Sequence, residues 1–210
     1  MGVIHKSYPE QDCVLGIWEI QEDIDTLLNL VKLDEEEIAH LEEFRNERRK
    51  IEWLSVRALI NDMTGKNSRI IYNGSHKPYL HDWSYNISIS HSVNLTSILL
   101  SRQRKVGIDL EYMSHDIEKI RHKFINEQEY ITSHPLLIKY HLYIHWCAKE
   151  ALYKICDKQD INFRINLTIA PFEPEESGEI KSTVTNKYGT EQYTLRYFRL
   201  GNYVVVWCIK

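Results

Sequence analysis

The chain has 210 residues, 43 % of them apolar, and a formal net charge of −4 from 26 basic and 30 acidic side chains. That balance excludes a generally basic, phosphate-coating nucleic-acid binder and a disordered polar chain, and the length suffices to bury about 70 % of the unfolded surface without a metal or disulfide staple. No run of 18 apolar residues occurs and MGVIHKSYPEQD lacks the basic-then-apolar layout of a signal peptide, so a cytoplasmic chain without membrane spans is expected.

Cys13, Cys147, Cys156 and Cys208 form no CxxC pair and read as buried free thiols of a reducing compartment. Residues 13–20, CVLGIWEI, read as a buried strand. Asp34 is a plausible N-cap for a helical stretch in which Ile38, Leu41, Phe44, Ile51, Leu54 and Ala58 recur at helical spacing, as two helices with no marked break. Within it RNERRK supplies Arg45, Arg48 and Arg49, which read either as a solvated helix end balancing Asp34 to Glu37 or as phosphate ligands. Strand patterns follow at 69–72, 86–91 and 95–101. SISHS, 88–92, puts small hydroxyls such as Ser90 around His91, a polar setting suited to phosphate, although a lone histidine is more often structural. KPYL, 77–80, stands just before it.

VGIDLEY, 106–112, alternates Val106, Ile108 and Leu110 with Gly107, Asp109 and Glu111. The second face is either a solvated acidic edge or a site where a cation relieves two neighbouring carboxylates, with Gly107 leaving room for a close approach; oxygen-only donors suit Mg²⁺. Helical patterns run from about 116 to 157. In WCAKEALYK, 146–154, Trp146, Glu150 and Lys154 form one stripe and His145, Lys149 and Tyr153 the next. Either Glu150 and Lys154 make an exposed ion pair, or Glu150 adds a third metal carboxylate beside Lys149 and Lys154; the apolar neighbours favour a cleft. His141 and His145 are four apart, but LYI between them lacks the glutamate of the zinc-protease helix. Strand patterns at 178–185, 191–199 and 202–209 close the chain. Each half is thus a strand, helices and about three strands, which predicts an α+β protein of two similar, pseudo-twofold halves, 1–105 and 106–210, with charges of −3 and −1. An anionic ligand must be met by a few placed cations and a metal rather than by a basic surface.

KPYL, SISHS, VGIDLE, KFINEQEY and WCAKEALYK, in this order, resemble the 4′-phosphopantetheinyl transferases of the surfactin-synthetase-activating type, whose paired motifs are (V/I)G(I/V)D(I/V)E and Trp-x-x-Lys-Glu-(A/S)-x-x-Lys. The resemblance, over about residues 45–155, implies a pseudo-dimer with its active site between the halves, a monomer in solution, and transfer of phosphopantetheine from coenzyme A to a serine of an acyl or peptidyl carrier protein. It implies Asp109, Glu111 and Glu150 as Mg²⁺ ligands. Lys149 would act on the departing phosphate, Lys154 would grip the pyrophosphate, and Glu129 would be the base for the serine. His91 with Ser90, and Arg49, eight residues before Arg57, would contact phosphate, and Lys77 and Pro78 would line the adenine side. Carrier docking is expected near 113–130, with Ile120 and Phe124 offering apolar contact. The chain departs from the family at His76, where glycine is usual, so a different loop backbone is expected. It also carries Asp34 to Glu37 where relatives place phosphate-binding lysines, so that contact is expected to be missing or to shift to Arg45 or Arg48. A coenzyme A or nucleotide-binding module without catalysis and a Mg²⁺-dependent phosphodiesterase are the alternatives.

Overall fold

The computed structural model describes residues 2–74, 76–114, 116–156 and 161–210. The chain forms two compact units, Met1–Gln103 and Arg104–Lys210, each with α+β architecture. In the first, β1 (Val3–Ser7) and β2 (Cys13–Glu19) precede helices α1 (Ile24–Leu30), α2 (Glu35–Glu43) and α3 (Glu47–Thr64). Strands β3 (Ile70–Tyr72), β4 (Pro78–Leu80), β5 (Asn86–Ser92) and β6 (Leu95–Ser101) follow. The main sheet has the order β1-β2-β6-β5, while β3 and β4 pair as a separate hairpin. Every residue of β6 is buried, which explains why LTSILLS shows no polar–apolar alternation: Ile98, Leu99 and Leu100 run together, and its polar residues are the small Thr96, Ser97 and Ser101. Trp18, Leu27, Leu41, Trp53, Leu54, Leu59 and Ile98 share the core formed by the helices and the sheet.

The break between α2 and α3 does have a local cause. Phe44 leaves the helical region, and Asn46 starts α3 by accepting the Arg48 amide at 2.8 Å on its side-chain oxygen. Asp34 caps α2 through the Glu37 amide, as expected. Pairing Arg57 with Glu37 at 2.9 Å, both buried, and laying the guanidinium over the Trp53 ring ties α3 back to α2. Asp34 and Glu36 hold Arg69, so three of the four residues in the acidic run serve the fold.

In the second unit β7 (Val106–Tyr112) is followed by a 3₁₀ helix, Ile117–Lys123, then α4 (Ile138–Ile155) and a single turn α5 (Phe163–Asn166). Strands β8 (Leu167–Ile169), β9 (Ser177–Asn186), β10 (Gly189–Leu200) and β11 (Tyr203–Ile209) complete a sheet of order β7-β11-β10-β9-β8. Helix therefore does not run throughout 116–157. Residues 124–137 are irregular apart from isolated turns, and Pro135 disfavours helix in the residue before it and delays α4 until Ile138. Helix α4 packs on β7 and β11, and Leu142, Ile144, Ala148, Ala151 and Leu152 join Val204, Val206 and Leu195 in one core. The units share a connectivity: the last strand returns to pair antiparallel with an early one, β6 with β2 and β11 with β7. All four cysteines are free thiols, three buried and Cys156 partly so. No described helix is long and apolar enough to cross a membrane.

Candidate functional site

Gly107 decides how the two motifs of the second unit meet. A Cβ on it would lie 2.1 Å from the Ala151 carbonyl oxygen and 3.2 Å from Ile155 Cβ, so the space left by the missing side chain is filled by α4 itself. This close seat places the last turns of α4 beside the strand that carries Asp109 and Glu111. Asp109 is 4 % exposed, and its Oδ1 accepts the Lys154 ammonium at 2.7 Å, which also donates to the Ile108 carbonyl at 2.9 Å. Lys154 is thus bound to Asp109, and its charge also acts on Glu150. Burial, reinforced by the Asp109 charge, pushes the Glu150 carboxyl up to about 7; Lys154 opposes the shift and Glu111 adds to it. The three acids therefore share one electrostatic neighbourhood. Their hard oxygen donors and mutual repulsion fit a divalent cation such as Mg²⁺ in chemistry. Among the described residues, however, no group of three or more His, Cys, Asp or Glu side chains is arranged to hold a metal, and Lys154 supplies the local positive charge.

Lys149, the neighbour of Glu150 in sequence, faces the core. Its side chain and that of Glu129 have no exposure, and they are joined at 2.7 Å. The same ammonium reaches the carbonyls of Phe124 at 2.5 Å, Leu167 at 2.9 Å and Phe163 at 3.0 Å. Glu129 also accepts the Asn126 amide at 2.9 Å and the Ile169 amide at 2.8 Å. Burial pushes the Glu129 carboxyl up, but His145, Lys149 and the Asn126 amide outweigh it and hold the group below its usual value. His145 Nδ1 stands 3.8 Å from Glu129 Oε1, beyond hydrogen-bond length. His141 and His145 are both buried beside Phe172, and burial lowers both. Phe124, expected as an apolar contact for a carrier, is instead core, fully buried and edge-on to Trp146, whereas Ile120 is 38 % exposed. Sequence spacing placed Phe124 beside Ile120 without revealing that the chain turns inward after the 3₁₀ helix.

The first unit gathers a second group. From α3, Arg49 reaches His91 Nε2 at 2.9 Å and Glu52 at 3.1 Å, with His91 Nδ1 3.7 Å from the same carboxylate. Arg48 grips the Asn94 side-chain oxygen with both terminal nitrogens at 3.1 Å, beside the hairpin turn of β5 and β6. Arg49 is about half exposed and His91 about a third, so both remain open to an anion. Ser90 is buried, and the alternation of β5 turns it away from His91. Glu52 is the member that sequence reading missed, although its spacing of three and four from Arg49 and Arg48 was a usable signal. The turn before Lys77 and Pro78 is closed by Asn73, whose amide donates to the Lys77 carbonyl and whose side chain accepts the Lys77 amide. His76 there has φ 59°, the left-handed conformation that glycine adopts without strain, so replacing glycine has kept a glycine-like backbone.

Residues 105–208 match the family model for the ACPS, or 4′-phosphopantetheinyl transferase, superfamily. No curated protein matches the chain.

Proposed function

Because residues 105–208 match the model of the 4′-phosphopantetheinyl transferase superfamily, we propose that the chain moves 4′-phosphopantetheine from coenzyme A to a serine of an acyl or peptidyl carrier protein, in the manner of the surfactin-synthetase-activating type. The observation that carries this reading is the seat of α4 on Gly107, which gathers Asp109, Glu111, Glu150 and Lys154 within the matched segment. Phosphoryl transfer needs mainly positioning and charge neutralisation, and these four groups are of the required types. In the reaction the serine oxygen forms a bond to the phosphorus that bears pantetheine. The bond from that phosphorus to the adenosine-side bridging oxygen breaks, adenosine 3′,5′-bisphosphate leaves, and one proton is released from the serine.

Asp109, Glu111 and Glu150 would hold a Mg²⁺ ion, which supplies neutralisation of the pyrophosphate charge when bound. Lys154 is the cation paired with Asp109 at 2.7 Å, and it would turn to phosphate if a metal took its position. Arg49 and His91 are assigned to a terminal phosphate of the cofactor, with their existing bond orienting the guanidinium. Lys77 and Pro78 are assigned to its base side, and a single cytoplasmic chain is proposed as the working unit.

The test is incubation with coenzyme A, Mg²⁺ and a panel of apo carriers, read by intact mass. Mass gain on a carrier supports the transferase, and its absence on every carrier refutes it. Bisphosphate release without a carrier marks a phosphodiesterase instead, and thermal stabilisation by coenzyme A without turnover marks a binding module. Arg49→Ala should raise KM for coenzyme A at least tenfold and narrow the preference over the 3′-dephospho form.

A further inference from the structure

Lys149 and Glu129 occupy positions that the resemblance makes reactive, yet both side chains are completely enclosed. A group that touches substrate must reach it, and every polar atom of this pair already faces another part of the same unit. The Lys149 ammonium has three N–H donors and four oxygen neighbours, at 2.5, 2.7, 2.9 and 3.0 Å. The Glu129 carboxylate takes two backbone amides besides the lysine. Those partners come from two backbone segments, 124–129 and 163–169, and the pair joins them to α4 at one point. The same segments line an open cavity of about 610 Å³ together with His122 and Lys123, and two of its lining residues, Asn126 and Thr168, are joined by a hydrogen bond from the Asn126 side-chain amide at 3.2 Å.

We infer that Lys149 and Glu129 are positioning residues: a buried clasp that fixes the two cavity-forming segments against α4, and with them the pitch at which α4 presents Glu150, without exchanging a proton with substrate. The inference rests on the transferase reading for its assay. A base at Glu129 would take up its proton while still crowded by the Asn126 and Ile169 amides and the lysine, and once neutral would leave the buried ammonium with three carbonyls but no counter-charge.

Pairwise neutralisation separates the two roles. Glu129→Gln strands the Lys149 charge, whereas Glu129→Gln with Lys149→Gln removes both charges and keeps donors and acceptors that can pair. A clasp predicts that the double variant regains at least tenfold in kcat/KM over Glu129→Gln, and that the acid limb of its pH–rate profile coincides with that of the unaltered protein. A reacting pair predicts a double variant no better than the single one, down by roughly 10² to 10⁴-fold, with the acid limb gone. Either of those results overturns the inference.

A readout on the unaltered protein covers the case in which variants do not fold. Amide exchange at Asn126 and Ile169 should stay equally slow when coenzyme A, Mg²⁺ and a carrier with alanine at its acceptor serine are bound; faster exchange in that complex also overturns the inference. If the unaltered protein transfers nothing to any carrier, it is the transferase reading that has failed, and fast exchange at the two amides in the free protein would then overturn the clasp.

Discussion

Replacing Gly107 with alanine tests the contact on which the site depends. The new Cβ would start 2.1 Å from the Ala151 carbonyl oxygen, against the 3.0 Å below which real Cβ atoms are essentially never found, so a retreat of about 0.9 Å is needed. The obstacle is helix backbone, which cannot swing aside as a side chain does, so α4 as a whole must move off β7. Applied to the Lys154–Asp109 contact, that retreat would lengthen 2.7 Å to about 3.6 Å, outside hydrogen-bond range. Overpacking costs about 1–3 kcal/mol, and the ion pair adds about 1 kcal/mol after screening of a lysine side chain that is 27 % exposed. A total of roughly 2–4 kcal/mol corresponds to a fall in Tm of about 5–15 °C for a chain of this size. Transfer should fall further, by on the order of 10²-fold, because the misplaced groups are those proposed to act. Differential scanning calorimetry and the mass assay read the two effects. Gly74→Ala, where nothing lies within 4 Å of the added Cβ, is the control expected to change neither. A Gly107→Ala protein with unchanged Tm and full transfer would refute the argument.

Glu150 makes stability depend on pH in the metal-free protein. Its folded value, about 7, lies above the ordinary 4.5, so the folded chain keeps this proton where the unfolded chain releases it. The stability is present in full below about pH 4.5 and is lost as pH rises through 7, up to about 3 kcal/mol. With chelator present, urea unfolding should find Glu150→Gln equal to the parent at pH 4.5 and more stable at pH 8, and Mg²⁺ should narrow the gap at pH 8; equal stabilities at pH 8 in chelator would contradict the burial. Glu37→Leu leaves Arg57 buried beside Trp53 without its carboxylate and should cost about 3 kcal/mol or more in urea unfolding. Glu37→Gln should recover part of it, and a loss under about 1 kcal/mol for the leucine variant would show that the pair contributes little. His76→Gly relieves a left-handed histidine and should raise stability by about 0.5–1 kcal/mol net of glycine's entropy; a lower Tm would count against strain there.

Much of the fold could be read from periodicity where burial is one-sided or complete. LTSILLS and NISISH are β6 and most of β5, and the three closing strands lie within two residues of β9, β10 and β11. Most elements set by few residues were not legible, although RIIY, 69–72, did mark the three-residue β3. The strand β1 alternates on a partly exposed edge, β4 and β8 have three residues each, and α1 has seven, so none carries a long enough pattern to be distinguished from loop. The division of α2 from α3 was legible in principle, since Asn46 is an N-cap residue standing before Glu47, but a cap signal inside a continuing apolar period is easily overridden.

At the site, local spacing established which residues share a face and left open what each face meets. The stripe Trp146, Glu150, Lys154 and the stripe His145, Lys149, Tyr153 are both real, yet Lys149 is enclosed while Tyr153, four residues on, is 41 % exposed. What separates them is a set of carbonyls at 124, 163 and 167, between 14 and 25 residues distant, and no pattern within the helix encodes a cage assembled from other segments. Gly107 shows the same limit from the other side. Its missing side chain announced a close approach, and the occupant turned out to be the helix that carries the rest of the motif. The two motifs are therefore one packing unit before they are a chemical one: Gly107 sets the spacing, Lys149 and Glu129 fix the helix from behind, and only then do Asp109, Glu111, Glu150 and Lys154 share one neighbourhood. A motif that reads as a catalytic signature thus also records how α4 is held against β7.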